Sequence, residues 1–200
     1  MGLKLITPPP AEPITLIEAK SHLRVAHDLE NEDIQSLIKV AREKCELISN
    51  RSYVQQTWEL TFDYWPEFPF ELKSPPLLEV VKIEYKDEDS NIAEWDSNNY
   101  VVDDYSFVPK IGLNNDYSIP SVNLYPVNAI IVTYKAGHEP DDSGAETDYT
   151  ANIPERYKHA IKLLIGEWYS FREEIISGTV PQKIPDGVKY LLGPDRVMNV

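Results

Sequence analysis

Cysteine is almost absent from this chain, which has Cys45 alone among its 200 residues. A single thiol excludes an internal disulfide and a cysteine-rich zinc site, and it is typical of a reducing compartment. No run approaches the ~20 apolar residues that a membrane span needs. The first 13 residues lack the apolar core of a signal peptide. We therefore expect a soluble protein that is made in the cytoplasm and has no membrane partner.

Basic residues are also few, since 19 Lys and Arg stand against 33 Asp and Glu and give a net charge of −14. They do not cluster, because Lys39, Arg42 and Lys44 are interspersed with Glu43 and Glu46. Stable binding of nucleic acid through its phosphates is therefore disfavoured. With only 8 glycines the chain also lacks a glycine-rich phosphate-binding loop.

Constellations that would support catalysis or metal binding are missing as well. No two of the four histidines have the spacing that places two metal ligands on one helical face. The stretch 87–91 resembles the start of a calcium loop, but Ile92 stands where that loop needs glycine, so we predict a hairpin turn. Asp103 and Asp104 are adjacent and would point to opposite faces of a strand. We expect no catalytic residue, no metal and no cofactor; a carboxylate enzyme using Asp103 or Asp104 is the remaining enzymatic alternative.

Helical patterns are present near both ends of the chain. Thr15 and Glu18 have the spacing of a capping box and predict a helix start. A second helix is predicted by apolar residues at three- and four-residue spacing from Asn31 to Asn50. Together they predict a helical hairpin over 14–53. The apolar residues of the second helix are Ile34, Leu37, Ile38, Ala41, Cys45 and Ile48.

The middle of the chain has the pattern of β-structure. Trp58, Leu60, Phe62 and Tyr64 alternate with polar residues, which is typical of a half-buried strand. Further short apolar runs are separated by turns rich in Pro, Asn and Asp, as in a small antiparallel sheet or sandwich. We predict a β-rich insertion over residues 54–137, with strand candidates at LLEVVKIEYKDEDSNIAEW, NYVVDD, FVPKIGL, SVNLY and NAIIVTYKAG.

Four other segments complete the predicted layout. Residues 1–13 form an extended, proline-rich arm, and residues 138–152 form an exposed acidic loop. A long helix over 153–177 completes a helical core with the hairpin. Residues 178–200 form an amphipathic tail. The sequence therefore predicts an α+β fold in which a β-region is inserted between the helices of a helical core.

The long helix places Arg172 within its apolar arc, four residues after Trp168. A guanidinium there can stack on the indole and still reach a carboxylate on a packed neighbour, and Glu43 or Glu46 would serve. The clamp would join the long helix to the hairpin, or it would join two subunits. The sequence leaves both alternatives open.

The tail holds a short amphipathic piece, with Ile184, Val188, Leu191 and Leu192 on one side. A helix of about 8 residues is not stable alone. It must bury its apolar side against the β-region of its own chain or against another molecule, and both remain open.

Taken in order, these blocks resemble a known family. ITLIEAKSHLRV, IQSLIKVAREKCELISNRSYVQQTWELTFDYWP, IPERYKHAIKLLIGEWYSFREE and IPDGVKYLLGPDRV look like the head–tail connector proteins of tailed bacteriophages and prophages. The group is the gp6-like connector (adaptor, or head-completion) proteins, in the subgroup with a β-insertion. The likeness spans nearly the whole chain and is thinnest over residues 72–125.

The resemblance implies a structural protein without catalysis. Family members form a ring, dodecameric in the virion, beneath the portal protein; the ring extends the DNA channel and carries a tail-proximal completion or stopper protein. The C-terminal arm, here about 180–200, would dock onto the portal. The expected location is the head–tail junction of the virion, with the host cytoplasm as the place of assembly. The arm residues expected to contact the portal are Ile184, Val188, Tyr190, Leu191 and Leu192.

The negative charge is consistent with that role. A channel lined with Lys and Arg would hold DNA by releasing counterions, whereas carboxylates let double-stranded DNA pass without specific binding. Repulsion between acidic subunits also predicts a largely monomeric free protein that assembles on a preformed portal ring. The alternatives are another virion ring component, such as a tail-completion protein, and a non-catalytic protein-binding module.

Overall fold

Four α-helices and eight β-strands form in the parts of the chain that the computed structural model describes, residues 1–171 and 185–198. They belong to two compact units. The β unit comprises residues 1–10 and 55–139, and the helical unit comprises residues 11–54 and the chain from 140 onward. The predicted α+β fold, with a β-region inserted between helices, is confirmed.

The helical unit contains α1 (Leu16–Leu23), α2 (Asn31–Ser49), α3 (Glu155–Ser170) and α4 (Asp186–Leu192). The predicted capping box is present at the start of α1. Thr15 Oγ1 accepts a hydrogen bond from the Glu18 amide at 3.1 Å, and the Thr15 amide donates to Glu18 Oε2 at 2.8 Å. The helix α2 ends at Asn50, whose φ of 54° lies in the left-handed region that asparagine tolerates.

The core of the helical unit comes from one stripe of each helix. On α2 the stripe follows the predicted three- and four-residue spacing, and on α3 it runs from Tyr157 to Ile165. The helix α3 ends at Ser170, earlier than the predicted helix over 153–177, and Phe171, which follows it, is half exposed. The fully or nearly fully buried residues of this core are Ile14, Ala19, Ile34, Ile38, Ala41, Cys45, Tyr53, Val54, Ile153, Tyr157, Ala160, Ile161, Leu164, Ile165, Val188 and Leu192.

The β unit contains two antiparallel sheets. The larger has five strands in the order β1-β2-β8-β4-β5, and the smaller has three in the order β3-β7-β6. The strands are β1 (Gly2–Thr7), β2 (Gln56–Phe62), β3 (Phe70–Glu71), β4 (Leu77–Lys86), β5 (Ile92–Glu94), β6 (Tyr100–Asp103), β7 (Lys110–Leu113) and β8 (Ile130–Ala136).

Most strand predictions agree with this arrangement, and two segments differ from the sequence-based expectation. Residues 2–7, expected in an extended arm, are hydrogen-bonded to β2 as an edge strand. The SVNLY segment forms no strand and contributes only the isolated bridge between Leu124 and Asp87. The turn at 87–91 is the hairpin between β4 and β5, in which Asp87 accepts a hydrogen bond from the Asn91 amide at 2.8 Å.

The core of the β unit is rich in aromatic residues. The rings of Trp65, Phe68 and Tyr100 each contact the ring of Trp95, with ring centroids 4.8–5.8 Å apart. Burying large rings contributes much of the stability of a small sheet assembly. The buried residues of this core are Leu60, Phe70, Leu72, Ile83, Trp95, Ile111, Ile130, Val132, Tyr134 and Ala136.

Candidate functional site

The C-terminal segment 185–198 packs onto the helical unit. Val188 and Leu192 are 0% exposed, and Leu191 is half buried against the same core. Tyr190 points away from the core and is 85% exposed. An amphipathic helix of seven residues gains its stability from such tertiary burial rather than from its own hydrogen bonds.

Hydrogen bonds attach this segment to the end of α2. The Val197 amide donates to the Ser49 carbonyl at 2.9 Å, and Asn50 Nδ2 donates to the Val197 carbonyl at 2.7 Å. Arg51 Nε donates to the Asp195 carbonyl at 2.6 Å. The last turn of a helix leaves carbonyl groups without an intrahelical partner, so Val197 satisfies a group that would otherwise need water.

The Asp195 carboxylate makes a second attachment, to α3. It accepts a hydrogen bond from Tyr157 Oη at 2.7 Å and forms an ion pair with Arg156. The Tyr157 ring in turn stacks on Tyr53, with ring centroids 4.3 Å apart and planes at 4°. Residues 185–198 are therefore anchored to two helices by both apolar and polar contacts.

This packing bears on the predicted docking arm. Val188 and Leu192, expected to meet another molecule or the β-region, instead complete the core of their own helical unit. The period of an apolar face shows that it must be buried, but not against what, because the partner residues lie far away in sequence. In the described conformation the exposed docking candidate is Tyr190, and Met198, later in the same segment, is 70% exposed. Ile184 lies outside the described residues.

A buried charge cluster lies on the side of α2. The side chain of Arg42 is 5% exposed and donates through Nε to Glu12 Oε2 at 2.8 Å and through Nη1 to Glu46 Oε2 at 2.6 Å. Glu43, which is half exposed, lies 3.5 Å from Arg42 Nη2. The other oxygen of Glu46 accepts a hydrogen bond from the Tyr53 amide at 2.8 Å. The cluster ties the segment before α1 and the segment after α2 to the middle of α2.

The electrostatics of the cluster follow from its burial. Burial raises the pKa of Glu46, although Arg42 and the Tyr53 amide oppose that shift. Burial also disfavours the charged Arg42, but the carboxylates of Glu46 and Glu12 outweigh it and raise the pKa of Arg42. The guanidinium thus stays charged and satisfies two carboxylates in a site with little access to water.

The predicted clamp of Trp168, Arg172, Glu43 and Glu46 is not tested, because its central residue lies outside the described part of the chain. Trp168 is half buried against the core of the helical unit. Glu43 and Glu46 both contact Arg42, a residue that sequence reasoning did not single out. The sequence feature that could have indicated Arg42 is its position four residues before Glu46 and next to the buried residue Ala41. Arg172 lies outside the described residues, so its part in a clamp stays a prediction.

The described residues can be compared with the expectations on metal binding, on membrane spanning and on Asp103. Among residues 1–171 and 185–198, no group of three His, Cys, Asp or Glu side chains is arranged to hold a metal ion. In the same residues, no helix is both long and apolar enough to cross a membrane. The Asp103 carboxylate accepts hydrogen bonds from Ser106, which hold its pKa below the usual value and occupy it in a turn.

One groove is found in the β unit between β4 and β6. It has a volume of about 370 Å³. Its lining combines apolar side chains with two carboxylates and contains no basic side chain. The lining residues are Leu77, Leu78, Glu79, Val80, Ser97, Tyr100, Val102 and Asp104.

Comparisons with known proteins give matches at the level of structure. No protein-family model matches the chain, and no curated protein is significantly similar to it in sequence. A chain of the neck of an empty gene transfer agent (GTA) particle, computed with C6 symmetry, superposes with a TM-score of 0.78 at 18% identity. A chain of the native GTA virion superposes with a TM-score of 0.74 at 17% identity, and one of the native GTA neck computed with C12 symmetry with a TM-score of 0.74 at 19% identity.

These superpositions cover all of this chain and nearly all of each neighbour. In each case 100% of this chain and 97% of the neighbour's chain are matched. The fold of the whole chain, helices and β-insertion together, is therefore the fold of these particle chains.

Proposed function

We propose that the chain is a structural head–tail connector, or adaptor, of a tailed phage, a prophage or a related phage-like particle. It forms a ring beneath the portal protein, extends the DNA channel, and provides the platform to which a tail-proximal completion or stopper protein attaches. The observation that carries the proposal is the full-length structural likeness to chains of the GTA neck, with TM-scores of 0.74–0.78. We further propose membership of the gp6-like group, on the sequence blocks quoted above.

Two features of the chain support a structural role. The strongest polar cluster, around Arg42, joins segments of its own unit and lies buried, where a substrate would not reach it. The excess of carboxylates suits a channel through which DNA moves, because basic side chains would bind the phosphates. The same charge favours a free monomer that assembles on the portal at the head–tail junction, after synthesis in the host cytoplasm.

The surface proposed to dock on the portal is the outer face of the C-terminal segment. Tyr190 and Met198 are exposed there, while Val188 and Leu192 hold the segment in place from below. Exposed tyrosine and methionine are residue types enriched at protein interfaces. Deleting residues 180–200 would remove the inner contacts together with the outer ones, so point variants separate docking from folding better than a truncation.

The experiment is co-sedimentation of the full chain with rings of its own portal protein. We expect the wild type to sediment with the portal, and Tyr190→Ser with Met198→Ser to weaken binding at least about tenfold, which corresponds to ~1.4 kcal/mol. The matched control is Tyr64→Ser, which removes another exposed tyrosine, from the β unit. Failure of the wild-type protein to bind the portal under any condition would contradict the proposal.

A further inference from the structure

The five-stranded sheet of the β unit ends at two edge strands, β1 and β5. Among the described residues, no strand pairs with the outer side of either one. An unpaired edge presents a row of backbone amide and carbonyl groups that can bond to a further strand. The two edges differ in how they are protected and in their charge.

The β1 edge has little of the usual protection of an edge strand. All six residues of β1 are exposed, and its apolar residues Leu3, Leu5 and Ile6 are about equally so, with 42% for Leu3. The strand contains no proline, and Lys4 is its one charged side chain. Natural edges of this length are commonly blocked by charges or proline, or covered by another element. This edge is therefore suited to covering by another strand.

The β5 edge carries unbalanced negative charge. Glu94 lies directly opposite Glu84 in the pairing of β5 with β4. Lys82 bonds to Glu84 at 2.9 Å, which leaves Glu94 as the second carboxylate of a like-charged pair. The acidic residues of the 87–91 turn precede β5, and Ile92 at its start is 59% exposed. A cation from outside would be favourable here.

Strand direction sets how two such edges could meet. Every pairing in the sheet is antiparallel, so with five strands β1 and β5 run in the same direction. In a ring of the twelvefold symmetry used for one GTA neck, each subunit is rotated by about 30° relative to the next. Such a small rotation keeps strand directions nearly unchanged. If β1 of one copy lies beside β5 of the next copy, the two strands therefore run parallel to each other.

We propose that β1 of one copy pairs in parallel with β5 of the neighbouring copy, so that the five-stranded sheets of adjacent subunits become continuous around the ring. The inference rests on the proposed function for the ring itself. The register that brings Lys4 beside Glu94 also brings Leu3 beside Ala93. Parallel pairing over about three residues is weak. The same pairing is repeated between all neighbouring copies of a ring that assembles on the portal, and this repetition compensates for the weakness of each pairing.

The test is site-specific cross-linking of the full chain with a short bismaleimide. In the variant Leu3→Cys with Ala93→Cys, heterologous pairing links copy to copy and gives a ladder of dimers, trimers and higher species in a denaturing gel. Each single-cysteine variant can give dimers only. The native Cys45 is fully buried, so it adds no background. The control is Leu3→Cys with Val101→Cys, because Val101 is 54% exposed on the other sheet.

Charge reversal sharpens the same experiment. In the Leu3→Cys and Ala93→Cys background, Lys4→Glu should lower the yield of the ladder about two- to fivefold, and adding Glu94→Lys should restore it. A ladder of equal strength from the control pair, or no effect of charge reversal, would overturn the inference.

Cross-linking is run with the free protein at high concentration and with protein bound to portal rings. Portal binding without a ladder overturns the strand pairing and leaves the connector function standing. A ladder without portal binding supports the pairing and contradicts the function. Neither binding nor a ladder contradicts both.

Discussion

The helical unit and the β unit place their charges in opposite ways, and they expose apolar residues on different kinds of surface. The helical unit buries a charged group, Arg42, at its centre and covers its apolar stripes with its own C-terminal segment. The β unit keeps its charges outside, carries most of the excess negative charge, and leaves apolar edge residues such as Leu3 and Ile92 exposed. An unpaired strand edge with exposed apolar residues indicates further contacts to be made, and so do the exposed apolar residues of the helical unit, among them Ile17, Leu29 and Leu47.

Probes within the chain distinguish the two units. Cys45 belongs to the helical unit, whereas three of the four tryptophans, Trp58, Trp65 and Trp95, belong to the β unit. The reactivity of the thiol therefore reports on one unit, and tryptophan fluorescence reports mainly on the other. With these two signals the contrast between the units can be measured in the intact protein.

The largest effect is expected for the thiol itself. Burial raises the pKa of Cys45 to about 12, and the side chain is 0% exposed, so the native protein at pH 8 holds almost no accessible thiolate. We expect reaction with a disulfide reagent to be at least about a thousandfold slower than in the unfolded chain, because it requires opening of the core. The measurement is the rate of thiol release with and without denaturant. Fast labelling while tryptophan fluorescence stays native would show that the helical core opens on its own.

Replacing Arg42 by alanine should produce the next largest change. Without the guanidinium, Glu46 is a buried carboxylate that has lost its cation, and Glu12 loses its partner as well. We expect the free energy of unfolding of the helical unit to fall by about 3–5 kcal/mol. Denaturant titration followed by Cys45 labelling measures it. Glu155→Ala is the control, because it removes an exposed carboxylate that pairs with Lys158 and should cost less than about 0.5 kcal/mol.

If the unfolding transition is unchanged in Arg42→Ala, the buried cluster does not stabilise the unit. A second variant, Arg42→Met with Glu46→Leu, removes both charges and should recover much of the lost stability. Failure to recover would mean that shape complementarity at this site outweighs its electrostatics.

The C-terminal segment offers a smaller change in the same unit. Leu192→Ala removes a fully buried side chain and should lower the free energy of unfolding by about 2–4 kcal/mol. Tyr190→Ala, two residues earlier on the exposed side of α4, should change it by less than about 0.5 kcal/mol. Thermal or denaturant unfolding compares the two variants. Equal and small effects would show that the segment does not contribute to the core.

The elements that sequence analysis predicted well are those determined by nearby residues. The capping box of Thr15 and Glu18 and the apolar stripe of α2 involve spacings of three and four residues. The partner of the C-terminal segment is set by contacts such as Val197 to Ser49, which join residues far apart in sequence. An amphipathic pattern carries no information about such a partner.

The two features that were missed have the same physical origin. Residues 2–7 form a strand because β2 lies beside them, and the alternation of Leu3, Lys4 and Leu5 is too short to predict a strand. Arg42 is buried because Glu12, 30 residues earlier, pairs with it. On sequence alone its neighbours Lys39, Glu43 and Lys44 make it look like part of a solvated charged face.

The smallest expected effect concerns the pH dependence of the first helix. The Thr15 amide and hydroxyl hold the pKa of Glu18 below its usual value, despite partial burial. A carboxyl group whose pKa is lower in the folded state stabilises the fold above its unfolded pKa, and that stabilisation is lost as the pH falls through the folded value.

The variant Glu18→Gln does not titrate at this position. Its deficit in unfolding free energy relative to wild type should therefore be well below about 1 kcal/mol at neutral pH and should shrink in acid. Unfolding curves of both proteins at about pH 7 and about pH 3 measure the change, and Glu32→Gln, at an exposed residue in the first turn of α2, is the control. A deficit that grew in acid would mean that the start of α1 draws no stability from the charged form of Glu18. The Arg42 cluster and the C-terminal segment would then be the remaining polar and apolar contacts expected to stabilise the helical unit.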